Sequence, residues 1–210
     1  MKQTRLDQLA DSIFAIVMTI LVFEIRMPNY VGVVNDQTLF NALLNLSPVF
    51  WSYLLSFSLL FTYWRSHHLI EILAKNIDVR FSNLNAIFFF FVALVPFSSH
   101  FLGNYSYSKT AVIFFAVNTI LIGLSLFRMR QHIIKSKTIE SITVSKTENE
   151  HANMHILFPV GASIMAILVT FFSNNLAIFL FTVAILFNLL DKSTKYTFSF
   201  VDIFRKKVKN

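Results

Sequence analysis

The 210-residue chain contains no cysteine, which excludes disulfides, thiolate nucleophiles and Cys-ligated zinc or iron–sulfur centres. Glycine is almost as scarce, at four residues. There is no P-loop, no dinucleotide fingerprint and no G-x-S-x-G elbow, so the usual enzyme signatures are missing. A TVGYG-type filter is excluded too, because it stacks consecutive carbonyls from a glycine-containing loop. Charge is also short. Asp, Glu, Lys and Arg make up 14% of the chain, against about 25% in a soluble domain.

What replaces them is apolar. The chain is 55% hydrophobic with 25 phenylalanines and a mean hydropathy of +0.61. This is the composition of an integral membrane protein, with one membrane domain over residues 1–191 and no second domain evident. The net charge of +7 would suggest nucleic acid for a soluble protein. Here membrane topology accounts for it, since basic residues gather at cytoplasmic ends. No cleavable leader is expected, because Asp11 and Glu24 interrupt the first apolar run and no A-x-A-type site follows it.

That first run, RLDQLADSIFAIVMTILVFEIRMP from Arg5 to Pro28, organises the rest. From Leu6 to Met27 it is about 22 residues, or ~33 Å of helix, enough to cross a ~30 Å hydrocarbon core. At 100° per residue, Ser12, Ile16, Thr19, Ile20, Phe23 and Met27 share one stripe. Asp11 falls to the other side, near Ala15, Met18 and Val22, where a carboxylate in the bilayer needs a partner or water. The stripe reads either as a lipid-facing surface or as a pore lining with a hydrophobic constriction.

Five further apolar segments follow, at about Leu39–Trp64, Asn83–Leu102, Ser108–Phe127, Met154–Phe172 and Leu176–Leu190. Pro48 and Pro159 sit near segment starts, and Pro96 predicts a kink. The polar stretch Arg128–Asn153 reads as a cytoplasmic loop. The tail Lys192–Asn210 is basic with interspersed Phe and Tyr, suited to an anionic inner leaflet. The expected fold is thus all-α, a polytopic protein with six transmembrane helices. With both termini cytoplasmic, only Arg26 and Lys109 of the 18 basic residues fall outside, a strong positive-inside bias.

Two constellations carry candidate chemistry. Trp64, His67, His68 and Glu71 lie within two turns at the cytoplasmic end of the second segment, on the same side as Arg5 and Asp11. His-His-Glu are metal-ligand types, but no HExxH or second cluster accompanies them. The cluster is read as a polar network in which Asp11 finds the Trp64 N–H, a histidine or Arg5. The remaining histidines, His100, His132, His151 and His155, look scattered. At the other end, Glu24 with Arg26 and Asp36 is either a carboxylate ring at a pore mouth or an interfacial Glu–Arg pair.

Several of these motifs resemble the bacterial six-span members of the transmembrane protein 175 potassium channel family. The family opens its first helix with Arg-x-x-x-Phe-Ser-Asp. Arg5 and Asp11 match it, while Leu9 and Ala10 stand at the Phe and Ser positions. The similarity continues through IFAIVMTILVFEI (Ile13–Ile25), YW-x-x-HH (Tyr63–His68) and N-x(10)-PF (Asn85–Phe97). It covers the first half of the chain well and the second half mainly by segment count. The resemblance implies a homotetramer in the cell (inner) membrane, with the first helix of each subunit lining a central pore permeable to K⁺. It implies a hydrophobic gate at Ile16, with Ile20 and Phe23 further out, and a selectivity role for Thr19. Glu24 would then stand at the pore mouth. Arg5, Asp11, Trp64, His67 and His68 would form the supporting polar network. No cofactor, metal or nucleic acid is implied, only membrane lipids and permeant monovalent cations.

The alternatives are a small proton-coupled carrier using Asp11 and His67/His68, and a membrane enzyme using His67, His68 and Glu71 on a lipid-phase substrate.

Overall fold

A computed structural model of the chain describes residues 3–28, 35–74, 76–136, 139 and 146–189. The expected tail Lys192–Asn210 and most of the segment between 137 and 145 lie outside the described residues. Within them the fold is helical: α1 (Gln3–Ile20), α2 (Asp36–Asn45), α3 (Ser47–Leu73), α4 (Val79–Ala93), α5 (Val95–Asn104), α6 (Lys109–Lys135), α7 (Lys146–Thr170) and α8 (Asn174–Leu189). Four helical stretches are long and apolar enough to cross a membrane, and a fifth counts if α2 and α3 are taken as one bent span. The α8 helix is apolar but shorter.

Three boundaries differ from the sequence expectation, each for a local reason. The first span leaves α-geometry after Ile20, tightens into a 3-10 turn at Leu21–Glu24, and becomes extended at Ile25. Pro28 stands three residues further on and disfavours helical geometry at Met27, so the helix does not resume there. The second span is two helices bent by 46° around Leu46. Pro48 occupies the first turn of α3, where its missing N–H costs nothing but its ring cannot continue an incoming helix. Asn35 starts α2 by accepting hydrogen bonds from Thr38 N at 2.8 Å and Thr38 Oγ1 at 2.7 Å. The third difference is the polar stretch read as a loop. α6 runs on to Lys135 and α7 begins at Lys146, so helix covers both of its ends and Pro159 falls well inside α7. One bond across this region is donated by the buried Arg130 guanidinium to Asn149 Oδ1 at 3.2 Å.

The kink expected at Pro96 is a complete break at Leu94, with Pro96 in the first turn of α5. Such a break frees backbone carbonyls inside the bilayer, and they need partners. The Leu94 N–H caps Phe91 O and Val92 O, Asn118 of α6 adds a second donor to Phe91 O through Nδ2 at 3.3 Å, and Ser98 Oγ donates to Val95 O at 2.9 Å.

α3 and α6 form the centre of the protomer. Leu55, Leu59, Leu60, Tyr63 and Ile70 of α3 and Ile122, Leu126 and Met129 of α6 are buried. Tyr63 ties the two helices, its hydroxyl donating to Thr119 O at 3.1 Å. Beside that bond the backbones come close at Gly123, where a Cβ would lie 2.8 Å from Tyr63 Oη and would overlap Val160 of α7.

Candidate functional site: an open helix face and the polar junction behind it

α1 packs on the bundle by one narrow stripe. Leu6, Ala10, Phe14, Val17 and Leu21 are buried, spaced as a helix spaces one face. The stripe singled out in the sequence is the one left open. Ile16 is 57% exposed, Ile20 40% and Phe23 66%, with Met27, Ser12 and Thr19 also exposed. A protomer that leaves so much apolar area along one helix presents it to lipid or to other subunits.

The two hydroxyls on this face are turned back onto their own helix. Ser12 Oγ donates to Gln8 O at 2.7 Å, and Thr19 Oγ1 sits 2.9 Å from Ala15 O and 2.8 Å from Ile16 O. Each hydroxyl proton is therefore spent on a carbonyl, and what remains for anything beside the helix is an oxygen lone pair. That is an acceptor, suited to a cation.

Toward the N-terminal end of α1 the polar cluster assembles across three helices. Trp64 of α3 donates its indole N–H to Asp11 Oδ1 at 2.9 Å. The Trp64 ring stacks on His68, centroids 6.1 Å apart. His67 is buried and faces the other way, with Nε2 2.7 Å from Asn85 Oδ1 of α4 and Nδ1 3.2 Å from Glu71 Oε1. The tautomer follows from geometry. Asn85 Nδ2 donates to Phe81 O at 3.0 Å, which fixes Oδ1 as the atom facing His67, so His67 Nε2 must carry a proton. The ring also stacks on Phe88 at 5.1 Å and meets Phe14 of α1 at 6.4 Å. Asp7 brings a second carboxyl against Glu71.

The sequence expectation thus resolves into two halves. Asp11, Trp64 and His68 form one and His67 with Asn85 the other, and Glu71 stands between them, its carboxylate 3.2 Å from His67 Nδ1 and 4.0 Å from His68 Nδ1. Arg5 is exposed at the start of α1 and takes no part in the Asp11–Trp64 bond. Among the described residues, no three His, Asp or Glu side chains converge to hold a metal. Both His67 nitrogens already face Asn85 and Glu71.

Past the C-terminal end of α1, Glu24 pairs with His100 of α5 and not with Arg26. Glu24 Oε2 lies 2.5 Å from His100 Nδ1, whereas Arg26 Nε donates to Phe23 O at 2.9 Å. Other histidines that looked scattered are also placed. His155 of α7 lies with Nε2 2.7 Å from the Arg65 guanidinium, which can only donate, so that nitrogen is the acceptor. His132 of α6 contacts both Asp78 oxygens, at 2.9 and 3.0 Å. No local periodicity marks these partners, which stand 54 to 90 positions apart in sequence or on different spans.

A fold that is helical among the described residues and has several bilayer-length apolar helices is that of a multi-pass membrane protein. Residues 5–96 match the family described as endosomal/lysosomal potassium channel TMEM175. A potassium channel of Chamaesiphon minutus is 27% identical over 177 residues, covering 83% of this chain and 87% of that protein. One from a Chryseobacterium species is 23% identical over 195 residues, covering 91% of this chain and 95% of that protein. The fold is similar to a crystal structure of a lysosomal potassium-selective channel TMEM175 homolog from Chamaesiphon minutus. The TM-score is 0.76 at 24% identity, over 89% of this chain and 95% of that one. The family match thus spans the first part of the chain, and the likeness in fold extends over most of it.

Proposed function

We propose that the chain is a passive, potassium-permeable channel that uses no cofactor. In this reading four copies surround a pore lined by their α1 helices, each copy crosses the cell membrane six times, and both termini are cytoplasmic. The six crossings are α1, the bent α2–α3 pair, α4–α5, α6, α7 and α8. The observation that carries the reading is the open face of α1, a helix buried along one stripe and bare along the stripe of Ile16, Ile20 and Phe23. The potassium channels named among its relatives support the choice of ion.

Ile16, Ile20 and Phe23 are spaced i, i+4, i+7, so four copies would stack three apolar rings. Such a ring offers no polar atoms to replace an ion's hydration shell, and a closed one dewets and blocks passage. Conduction requires that it widen, and discrimination between K⁺ and Na⁺ then rests on partial dehydration at the ring. The Thr19 oxygens, with their protons turned inward, would stand beside it as acceptors. Glu24 would stand at the outer mouth, its charge shared with His100.

The test is K⁺ against Na⁺ flux from purified protein in liposomes, with Ile16→Asn and Thr19→Val as variants. Wild type passes K⁺ in preference. Ile16→Asn places an amide dipole in the ring and raises basal flux while weakening the preference; Thr19→Val keeps the shape and loses discrimination. If correctly assembled Ile16→Asn protein matches wild type in both flux and preference, the stripe is ordinary packing and the reading fails.

A further inference from the structure

A cavity of about 550 Å³ opens at the far end of the bundle from Lys109, between the first turns of α4 and the last turns of α6. It is unlike the other described cavities in being lined by cations. Arg128, Gln131, His132 and Lys135 project from one face of α6 at i, i+3, i+4, i+7, and Arg80 and Leu84 face them from α4. Arg80, Arg128 and Lys135 are exposed, and none makes a hydrogen bond or ion pair with another described side chain. Among the described residues the one carboxylate beside the cavity is engaged: Asp78 contacts His132 and accepts the Phe81 N–H at 2.7 Å. His132 is thereby held as a fixed wall. Three unpaired cations against one carboxylate leave an excess of two positive charges, which complements the −1.5 to −2 of a phosphate monoester (about that range at neutral pH).

We infer that this cavity binds a phosphate group, supplied by an anionic lipid of the inner leaflet. The chemistry of the wall is that of phosphate recognition: two guanidiniums for paired donors, an ammonium as a point charge, and the Gln131 amide. Its position at the end of two apolar helices puts it at headgroup level, where basic pockets between transmembrane helices bind phosphorylated headgroups. Leu84 leaves an apolar edge on the bilayer side for the glycerol and first methylenes. The leaflet assignment, though not the phosphate chemistry, rests on the proposed topology.

The experiment is native mass spectrometry and ligand-binding titration on the purified full-length protein in uncharged detergent. The probes are phosphatidic acid, phosphatidylcholine and inorganic phosphate. Wild type binds phosphatidic acid over phosphatidylcholine. Arg128→Gln/Lys135→Gln weakens that binding by about tenfold or more, and Arg80→Gln by a smaller factor. Lys109→Gln, which removes a cation at the opposite end, leaves it unchanged. Competition by millimolar inorganic phosphate would assign the cavity to a soluble phosphate source; no competition assigns it to the lipid. The inference is overturned if both cavity variants bind phosphatidic acid as wild type does while eluting and melting normally. It is equally overturned if Lys109→Gln weakens binding as much as they do. Binding is read without ion flux, so its loss would leave the channel reading standing, and a failed flux assay would leave the cavity standing.

Discussion

Replacing Asn85 by Leu probes the junction that seats α1. The substitution nearly preserves volume and removes the only acceptor for the His67 Nε2 proton, at 2.7 Å in a site where both residues are at most 1% exposed. The second bond lost, Asn85 Nδ2 to Phe81 O, matters less because that carbonyl already belongs to the α4 ladder. A buried donor left without a partner costs about 1–3 kcal/mol. For a chain of this size each kcal/mol moves the midpoint by about 2–4 °C, so Asn85→Leu lowers it by roughly 2–12 °C. The assay is intrinsic-fluorescence melting in detergent, reading Trp51 and Trp64; thiol-reactive dyes have no cysteine to label. A second variant isolates the bond from the packing. His67→Phe removes the stranded donor while keeping an aromatic ring between Phe14 and Phe88. The double variant His67→Phe/Asn85→Leu is therefore less destabilised than the sum of the singles. Exposed Asn83→Ala, two positions away on α4, serves as the neutral control. If Asn85→Leu melts within about 1 °C of wild type, or the two substitutions add without coupling, the hydrogen bond does not hold the junction together.

Three further outcomes are expected. Asp11→Asn keeps an oxygen for the Trp64 N–H and assembles like wild type, whereas Asp11→Ala strands that donor and loses about 1 kcal/mol, seen as reduced oligomer in size-exclusion chromatography; equal damage from both would mean that the charge matters and the bond does not. His100→Gln takes the imidazole away from the Glu24 carboxylate, so single-channel K⁺ conductance rises at low ionic strength and not at high, where screening erases the difference; an increase that survives high salt would point to a steric effect. Gly123→Ala forces a methyl against Tyr63 and Val160, parting α6 from α7 and lowering the melting temperature by an amount equivalent to about 1–3 kcal/mol; an unchanged melt would show that Val160 gives way freely.

How much of this was legible beforehand depended on whether the signal was local. The exposed stripe was, because helical periodicity alone groups Ser12, Ile16, Thr19 and Phe23; the opposite side was not, since Asp11, Ala15 and Val22 are exposed as well and α1 packs instead through Leu6, Ala10, Phe14, Val17 and Leu21. Trp64 could be named as a partner for Asp11 because both lie at the same end of their spans. The Glu24–His100 pair could not, since Arg26 two residues away is the obvious local partner and His100 is brought in by the packing of α5. The same holds for His132 with Asp78 and His155 with Arg65, where each histidine seemed isolated only along the chain. Pro48 and Pro96 announced interruptions, but how far each helix turns at the break depends on the neighbour that takes up the freed carbonyls, and Asn118 carries no mark of that duty in sequence.

The break at Leu94 has a mechanical consequence. The body of α1 leans on α4 through Phe14 against Phe88, and the turn that ends it is clasped by α5 through Glu24 and His100. One interrupted strut therefore grips the same rod at two heights. If α4 and α5 were a single straight helix, the two grips could only travel together. With a joint between them, a change in the angle at Leu94 shifts the upper grip relative to the lower, and α1 must tilt or twist to follow. The donors of Asn118 and Ser98, sitting at that joint, set how stiffly it resists.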